Sequence, residues 1–282
     1  MKIAAVQMDV TIGENEANVE KMIGLLQEAT AAGSELTVFP ECAVSGYCFD
    51  NLDAARPYAQ PVPGPASERL TNACAKLSSF AVFGLLEADG ARIFNTAVLT
   101  GPDGVIGTYR KVHLPYLGID RFTTPGDRPF AVHAAGDLRV GMNICYDSAF
   151  PEGSRAMTLL GADVIVLPTN WPPPAEFVAA HAINTRAMEN AVYYLAANRV
   201  GTEGGVEFIG RSKICDPNGR TLAESTGMDE EILYADIDPA NARQKRRVRV
   251  AGEHEIDRLA DRRPEMYALL TEPHNLKPPC RA

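Results

Sequence analysis

Phe80 to Lys111, FAVFGLLEADGARIFNTAVLTGPDGVIGTYRK, holds three β-prone runs, Phe80–Glu87, Arg92–Thr100 and Val105–Lys111. They are joined by ADGA and GPDG, short Gly-Asp sequences of the kind that close hairpins, so the three runs read as an antiparallel meander. On either side the pattern changes. Upstream, Lys2–Met8 is an apolar strand, Asn15–Ala32 carries Val19, Met22, Ile23 and Leu26 at helical spacing up to Gly33, Leu36–Phe39 is a short strand and Ala66–Ser78 a helix. Downstream the predicted strands are Phe130–His133, Leu138–Ile144, Asp163–Leu167, Val192–Ala196, Glu207–Ile214 and Glu231–Ile237, with helices over Pro151–Leu160 and Ala175–Asn190. Parallel crossovers and hairpins together imply an α/β chain with mixed sheets, and two sheets face to face with helices outside would bury every apolar run.

The 282 residues, 46% of them hydrophobic, support a large core, and no repeat or linker divides them, so a single domain spanning 1–282 is expected. Residues 239–282, rich in Arg and Pro, have no place in that core and are expected to form a tail, either disordered or packed on a partner subunit. Within the tail Arg243–Arg249 (RQKRRVR) is a basic run, read as a solvated or subunit-contact face. A net charge of −9 argues against nucleic acid and anionic membranes as partners. No segment has the length and apolarity of a membrane span, and the N-terminus lacks a signal-peptide core. The six cysteines, at 42, 48, 74, 145, 215 and 280, form no metal or disulfide pattern and are expected to be free thiols in a cytoplasmic protein.

Three segments place a reactive side chain where an apolar strand stops: FPE at Glu41, YRK at Lys111 and NICYD at Cys145. A thiol attacks a carbonyl or nitrile carbon only with help, from a carboxylate that takes its proton and a cation that stabilises the negative charge. Glu41, Lys111 and Cys145 make up that chemical set. Taken singly they also read as a cap, a solvated strand end and a core cysteine. His113, His133 and His181 have no metal-ligand spacing and read as hydrogen-bonded histidines.

The ordered segments AVQMDVTIG, TVFPECAVSGY, YRKVHLP with TPGD, GMNICYDSAFPE, GADVIVLPTNWP, RAMENAVYYLAANR and IGRSKICDPNGR resemble the nitrilase superfamily of carbon–nitrogen hydrolases across most of residues 3–237. The resemblance implies a four-layer αββα sandwich. It also implies a Glu–Lys–Cys triad, with Glu41 as general base, Cys145 as nucleophile, and Lys111 and the backbone N–H of Tyr146 holding the oxyanion. Many members carry a second glutamate after the lysine, but residues 112–151 contain none; Asp120 is the nearest acidic substitute and is assigned a supporting catalytic role, against the alternative that it pairs with Arg121 or another surface base. Tyr47, Asn170, Trp171 and Asp147 lie beside these segments as candidate pocket walls.

CYD at residues 145–147 looks more like the amidase and carbamoylase branches than the nitrilases, which generally have Trp-Glu after the nucleophile. The expected reaction is therefore hydrolysis of a small linear amide to carboxylate and ammonia through a thioester. An N-carbamoyl amine or amino-acid substrate, then a nitrile, are the alternatives; a catalytically silent binding module and a papain-like Cys–His hydrolase are the readings from other classes. No cofactor or metal is expected. The resemblance implies a homodimer or higher homo-oligomer.

Overall fold

The computed structural model describes residues 1–279; Cys280 lies outside the described residues. One six-stranded sheet runs in the order β14-β1-β2-β3-β4-β5, from β1 (Lys2–Gln7), β2 (Ser34–Val38), β3 (Phe80–Asp89), β4 (Arg92–Gly101), β5 (Gly104–Arg110) and β14 (Glu231–Asp236). The other runs β6-β7-β8-β9-β12-β13, from β6 (Val132–Ala135), β7 (Leu138–Met142), β8 (Val164–Thr169), β9 (Tyr193–Asn198), β12 (Lys213–Cys215) and β13 (Thr221–Glu224). Read in those directions, both sheets share one series of pairings: antiparallel, parallel, parallel, antiparallel, antiparallel. The two halves thus repeat a βαβαβ unit ending in a meander, although their sequences show no repeat.

Strand periodicity explains the layers. Ile3, Ala5, Leu36, Val38, Val82, Ala97 and Leu99 of the first sheet pack against Val140, Met142, Val164 and Val166 of the second. The intervening side chains, Val6, Ala81, Phe83 and Val98, face outward and meet Val19, Met22, Leu26 and Leu70 of the helices Asn15–Ala31 and Pro65–Leu77. Met157, Ile183 and Ala187 of the helices Pro151–Leu159 and Ile183–Asn190 join the second sheet's core, which completes the sandwich of two mixed sheets between helices.

Several sequence boundaries shift. The strand expected through Ile144 ends at Met142, three residues before Cys145 opens the next turn. The helix expected over Ala175–Asn190 includes a π-helical turn, Val178–Ala182, ahead of its α-helical part. Glu207–Ile214 is not one strand: a small hairpin of β10 (Thr202–Glu203) and β11 (Val206–Glu207) ends before Gly210 and Arg211, both at φ +62°, and pairing resumes only at Lys213. The tail also holds structure that the sequence reading omitted, a hairpin of β15 (Arg246–Val250) and β16 (His254–Asp257). The basic run is accordingly not simply solvated. Arg243 bonds the buried Asp163 carboxylate at 2.8 Å, and the Lys245 ammonium donates to the carbonyls of Asn190 and Ala191 at 3.3 and 2.8 Å.

The segment after β2 is stitched onto β3. Gly84 N–H donates to the Pro40 carbonyl at 3.2 Å, and Val44 N–H donates to the Gly84 carbonyl at 3.2 Å. This approach needs glycine at position 84, since a Cβ there would lie 2.3 Å from Cys42 N and 2.7 Å from Glu41 Cα. We expect Gly84→Ala to lower stability by about 1–3 kcal/mol through overpacking. Gly24→Ala, on an open helix face, should raise it by about 0.5–1 kcal/mol. Urea denaturation of the two variants checks both signs.

Candidate active site

Tyr109 on β5 faces the layer between the sheets, and Lys111, two residues on, shares that side of the chain just past the strand end. Its position is fixed by its own backbone: Lys111 N–H donates to the Asn95 carbonyl on β4, and its carbonyl accepts from Gly126, both at 2.8 Å. The side chain is fully buried. Its ammonium donates to Glu41 Oε1 at 2.6 Å and to Asp120 Oδ2 at 2.5 Å. Asp120 sits in the 3₁₀ turn Gly118–Arg121, also fully buried, and pairs with Lys111 rather than with Arg121 or a surface base.

Asn95 locks the two carboxylates together. Its side-chain amide donates to Glu41 Oε1 at 2.7 Å and to Asp120 Oδ1 at 2.9 Å, while its side-chain oxygen faces the Cys42 thiol at 3.6 Å. Sequence reasoning passes over this residue. Its signal is the single polar side chain on the β4 face shared with Ile93, Ala97 and Leu99. Tyr47, expected in the pocket wall, is buried beside the cluster with its hydroxyl donating to Asp120 Oδ2 at 2.9 Å. Its backbone N–H donates to Glu203 Oε1 at 2.6 Å, and Glu203 is in turn paired with the buried guanidinium of Arg199 at 2.8 Å.

Cys145 opens a 3₁₀ turn after β7 with φ +45°, a backbone region that non-glycine residues seldom adopt. Such strain costs of order 1–3 kcal/mol and gathers at functional sites. The residue is 7% exposed, so its sulfur is nearly enclosed. Burial pushes the thiol up to about 12; the Glu41 charge adds to that, while Lys111 and the backbone N–H of Asn170 oppose it. The resting thiol is therefore neutral. It lies close enough to Glu41 and Lys111 for both charges to act on it.

The other groups around the sulfur are poised. Glu41 is raised above the ordinary carboxylate value by burial, against the pull of Lys111. Its Oε1 is taken by Lys111 and Asn95, and its Oε2 is buried with no hydrogen-bond partner among the described residues. Burial works against the Lys111 ammonium as well, but Asp120 and Glu41 outweigh it and hold its pKa well above the usual lysine value. Asn170 is fully buried with neither side-chain oxygen nor nitrogen paired among the described residues, and the Thr169 hydroxyl beside it sits against the Cys145 sulfur, where it too opposes the rise of the thiol's pKa. Trp171 is buried in the core, its backbone N–H held by Asn198 at 2.8 Å, whereas the Tyr146 ring is 43% exposed and stands edge-on to Phe150. His113 is hydrogen-bonded to Asp147 at 2.7 Å. Among the described residues no cluster of His, Cys, Asp or Glu is arranged to hold a metal ion.

The family model for carbon–nitrogen hydrolases matches residues 2–247. The chain belongs to this carbon–nitrogen hydrolase family. A nitrilase of Pyrococcus abyssi is 39% identical over 95% of this chain and 99% of its own, and an (R)-stereoselective amidase of a Pseudomonas species is 36% identical over 93% and 92%. Among solved structures, a double mutant of the amidase from Nesterenkonia sp. AN1 in complex with acrylamide superposes with a TM-score of 0.79 at 25% identity, covering 96% of this chain and 97% of that one. Relatives and solved neighbours carrying amidase names mark this carbon–nitrogen hydrolase as an amidase acting on bonds other than peptide bonds.

The cluster sets one ammonium against two carboxylates, so removing Asp120 leaves Lys111 paired with Glu41 but takes the acceptor away from buried donors of Lys111, Asn95 and Tyr47. We expect Asp120→Ala to cost about 1–3 kcal/mol. Asn95→Ala, which removes one donor from each carboxylate, should cost about 1–3 kcal/mol. Urea unfolding with an unchanged slope would establish both values; losses below half a kcal/mol would show that the cluster is not dry.

Proposed function

We propose that the enzyme hydrolyses a small linear primary amide to a carboxylate and ammonia through a thioester on Cys145. The observation that carries this reading is the unpaired Oε2 of Glu41, a buried acceptor on a carboxylate whose charge reaches the neutral Cys145 thiol. Glu41 Oε2 takes the thiol proton as Sγ attacks the amide carbon, so the negative charge moves from carboxylate to the new oxyanion and the cluster gains none. Lys111 and the backbone N–H of Tyr146 receive that oxyanion, each such donor contributing about 3–4 kcal/mol to the transition state. The carbon–nitrogen bond then breaks and Glu41 returns the proton to the departing nitrogen. Water, deprotonated by Glu41, adds to the thioester and releases the carboxylate with the thiol restored.

Asp120 keeps Lys111 charged and aimed throughout, the supporting role expected of it. The unpaired amide of Asn170 supports a substrate that offers both a donor and an acceptor, as a carboxamide does. The nitrilase name of the Pyrococcus abyssi relative favours nitriles as the second reading, with attack at the nitrile carbon giving a thioimidate in the same site.

Ammonia release from panels of small amides, N-carbamoyl compounds and nitriles separates these readings. The amides should turn over with wild type and not with Cys145→Ala or Glu41→Gln, a loss of at least about 10³-fold. Turnover of nitriles alone would transfer the assignment to the second reading, and turnover of no class would leave a binding module. Because Glu41 must be ionised to accept the proton and its pKa lies above the ordinary 4.5, kcat/KM should fall with decreasing pH through a midpoint above 4.5.

A further inference from the structure

Asp147 stands two residues beyond Cys145 and is 1% exposed. Its carboxylate collects four donors. Oδ2 accepts the Tyr109 hydroxyl at 2.8 Å and the backbone N–H of Ile144 at 3.0 Å; Oδ1 accepts the backbone N–H of His113 at 3.0 Å and lies 2.7 Å from His113 Nδ1. A carboxylate offers about four lone-pair sites, so none is left for a substrate. The expectation that Asp147 lines the pocket therefore gives way to another role.

The origin of the four donors defines that role. Tyr109 and His113 bracket Lys111 at two residues on either side, and Ile144 immediately precedes Cys145. One buried side chain thus ties the end of β5 in the first sheet to the turn after β7 in the second, at the place where Lys111 and Cys145 must be brought into register. The His113 ring is held in turn by stacking on Phe150, with centroids 3.8 Å apart. The hydrogen bond to Ile144 N–H also fixes the residue at which the backbone enters the positive φ of Cys145.

We propose that Asp147 is a positioning residue that sets the spacing between the Lys111 ammonium and the Cys145 sulfur and holds the strained turn in place. The proposal rests on Cys145 being the activated nucleophile, and its test uses no hydrolysable substrate. Iodoacetamide alkylates a thiolate by forming the sulfur–carbon bond as iodide leaves, and peptide mass spectrometry reads the rate at each cysteine separately. Wild type, Asp147→Asn and Tyr109→Phe are compared across about pH 5 to 10, with the melting temperature of each.

Displacement of the sulfur from its partners should slow Cys145 alkylation in Asp147→Asn by about tenfold or more at neutral pH and shift its pH profile. Alkylation of the half-buried Cys48 should stay as in wild type. Tyr109→Phe removes one donor of the four and should shift Cys145 in the same direction by less, and the double variant should be no slower than Asp147→Asn alone, because the two act on one link. A lowered melting temperature with the Cys145 rate and profile unchanged would overturn the proposal and leave Asp147 a stabilising residue only. If Asp147→Asn does not fold, Tyr109→Phe decides by the same criterion: a slowed Cys145 supports the positioning role, and an unchanged one overturns it. Wild type that alkylates readily at Cys145 yet hydrolyses no amide would remove the amidase mechanism while leaving the positioning role in force.

Discussion

A lysine ammonium enclosed between two carboxylates, with all three side chains out of contact with water, is the constraint on which the site depends. Moving one such ion out of water costs several kcal/mol even after relaxation, so the charges are tolerated only as a group whose donors and acceptors are placed, with Glu41 Oε2 the exception. The neighbours answer that requirement. Asn95 bridges both carboxylates, Tyr47 completes Asp120, and the Arg199–Glu203 pair fixes the backbone from which Tyr47 reaches in. The negative charge in excess settles on Glu41, whose raised affinity for a proton is what a base for a neutral thiol needs.

The fold supplies the convergence. Glu41 follows β2 and Lys111 follows β5 in one sheet, while Cys145 follows β7 and the Thr169–Asn170 step closes β8 in the other. All lie at strand ends bordering the space between the two sheets, where side chains leave the packed layer and the backbone is free to turn. Sheets, unlike single loops, hold these ends in a fixed relation, so a reaction that needs acid–base, nucleophilic and oxyanion groups together can be assembled from segments distant in the chain. The common pairing series of the two sheets places equivalent strand ends on both sides of the gap.

The helices of the sandwich are legible in the sequence by apolar residues recurring at helical spacing on one face, and its strands because most are buried on both faces and read as continuous apolar runs. So are Glu41, Lys111 and Cys145, each marked by an abrupt end to such a run. What escapes a sequence reading is whatever depends on a partner far along the chain. Asn95 looks like any polar residue until its amide is seen between Glu41 and Asp120, and Asp147 reads as a pocket wall until its four donors are placed. The break at Gly210–Arg211 and the tail hairpin escape for local reasons: two consecutive positive φ angles interrupt an otherwise strand-like run, and the alternation of RRVRV reads as charge before it reads as strand period. Asp120 stands out in the sequence as the acidic residue near the lysine, but only the structure decides between its two possible partners.

The most direct test of the central claim is rapid acid quenching of the enzyme in mid-turnover with a small amide, followed by peptide mapping for the acyl group. The substrate's acyl moiety should be found on Cys145 in wild type, and on no residue in folded Glu41→Gln or Lys111→Met, where the proton acceptor or the oxyanion partner is missing. Amide hydrolysis that proceeds with Cys145 unmodified at every quench time, or with the acyl group on another residue, would contradict it.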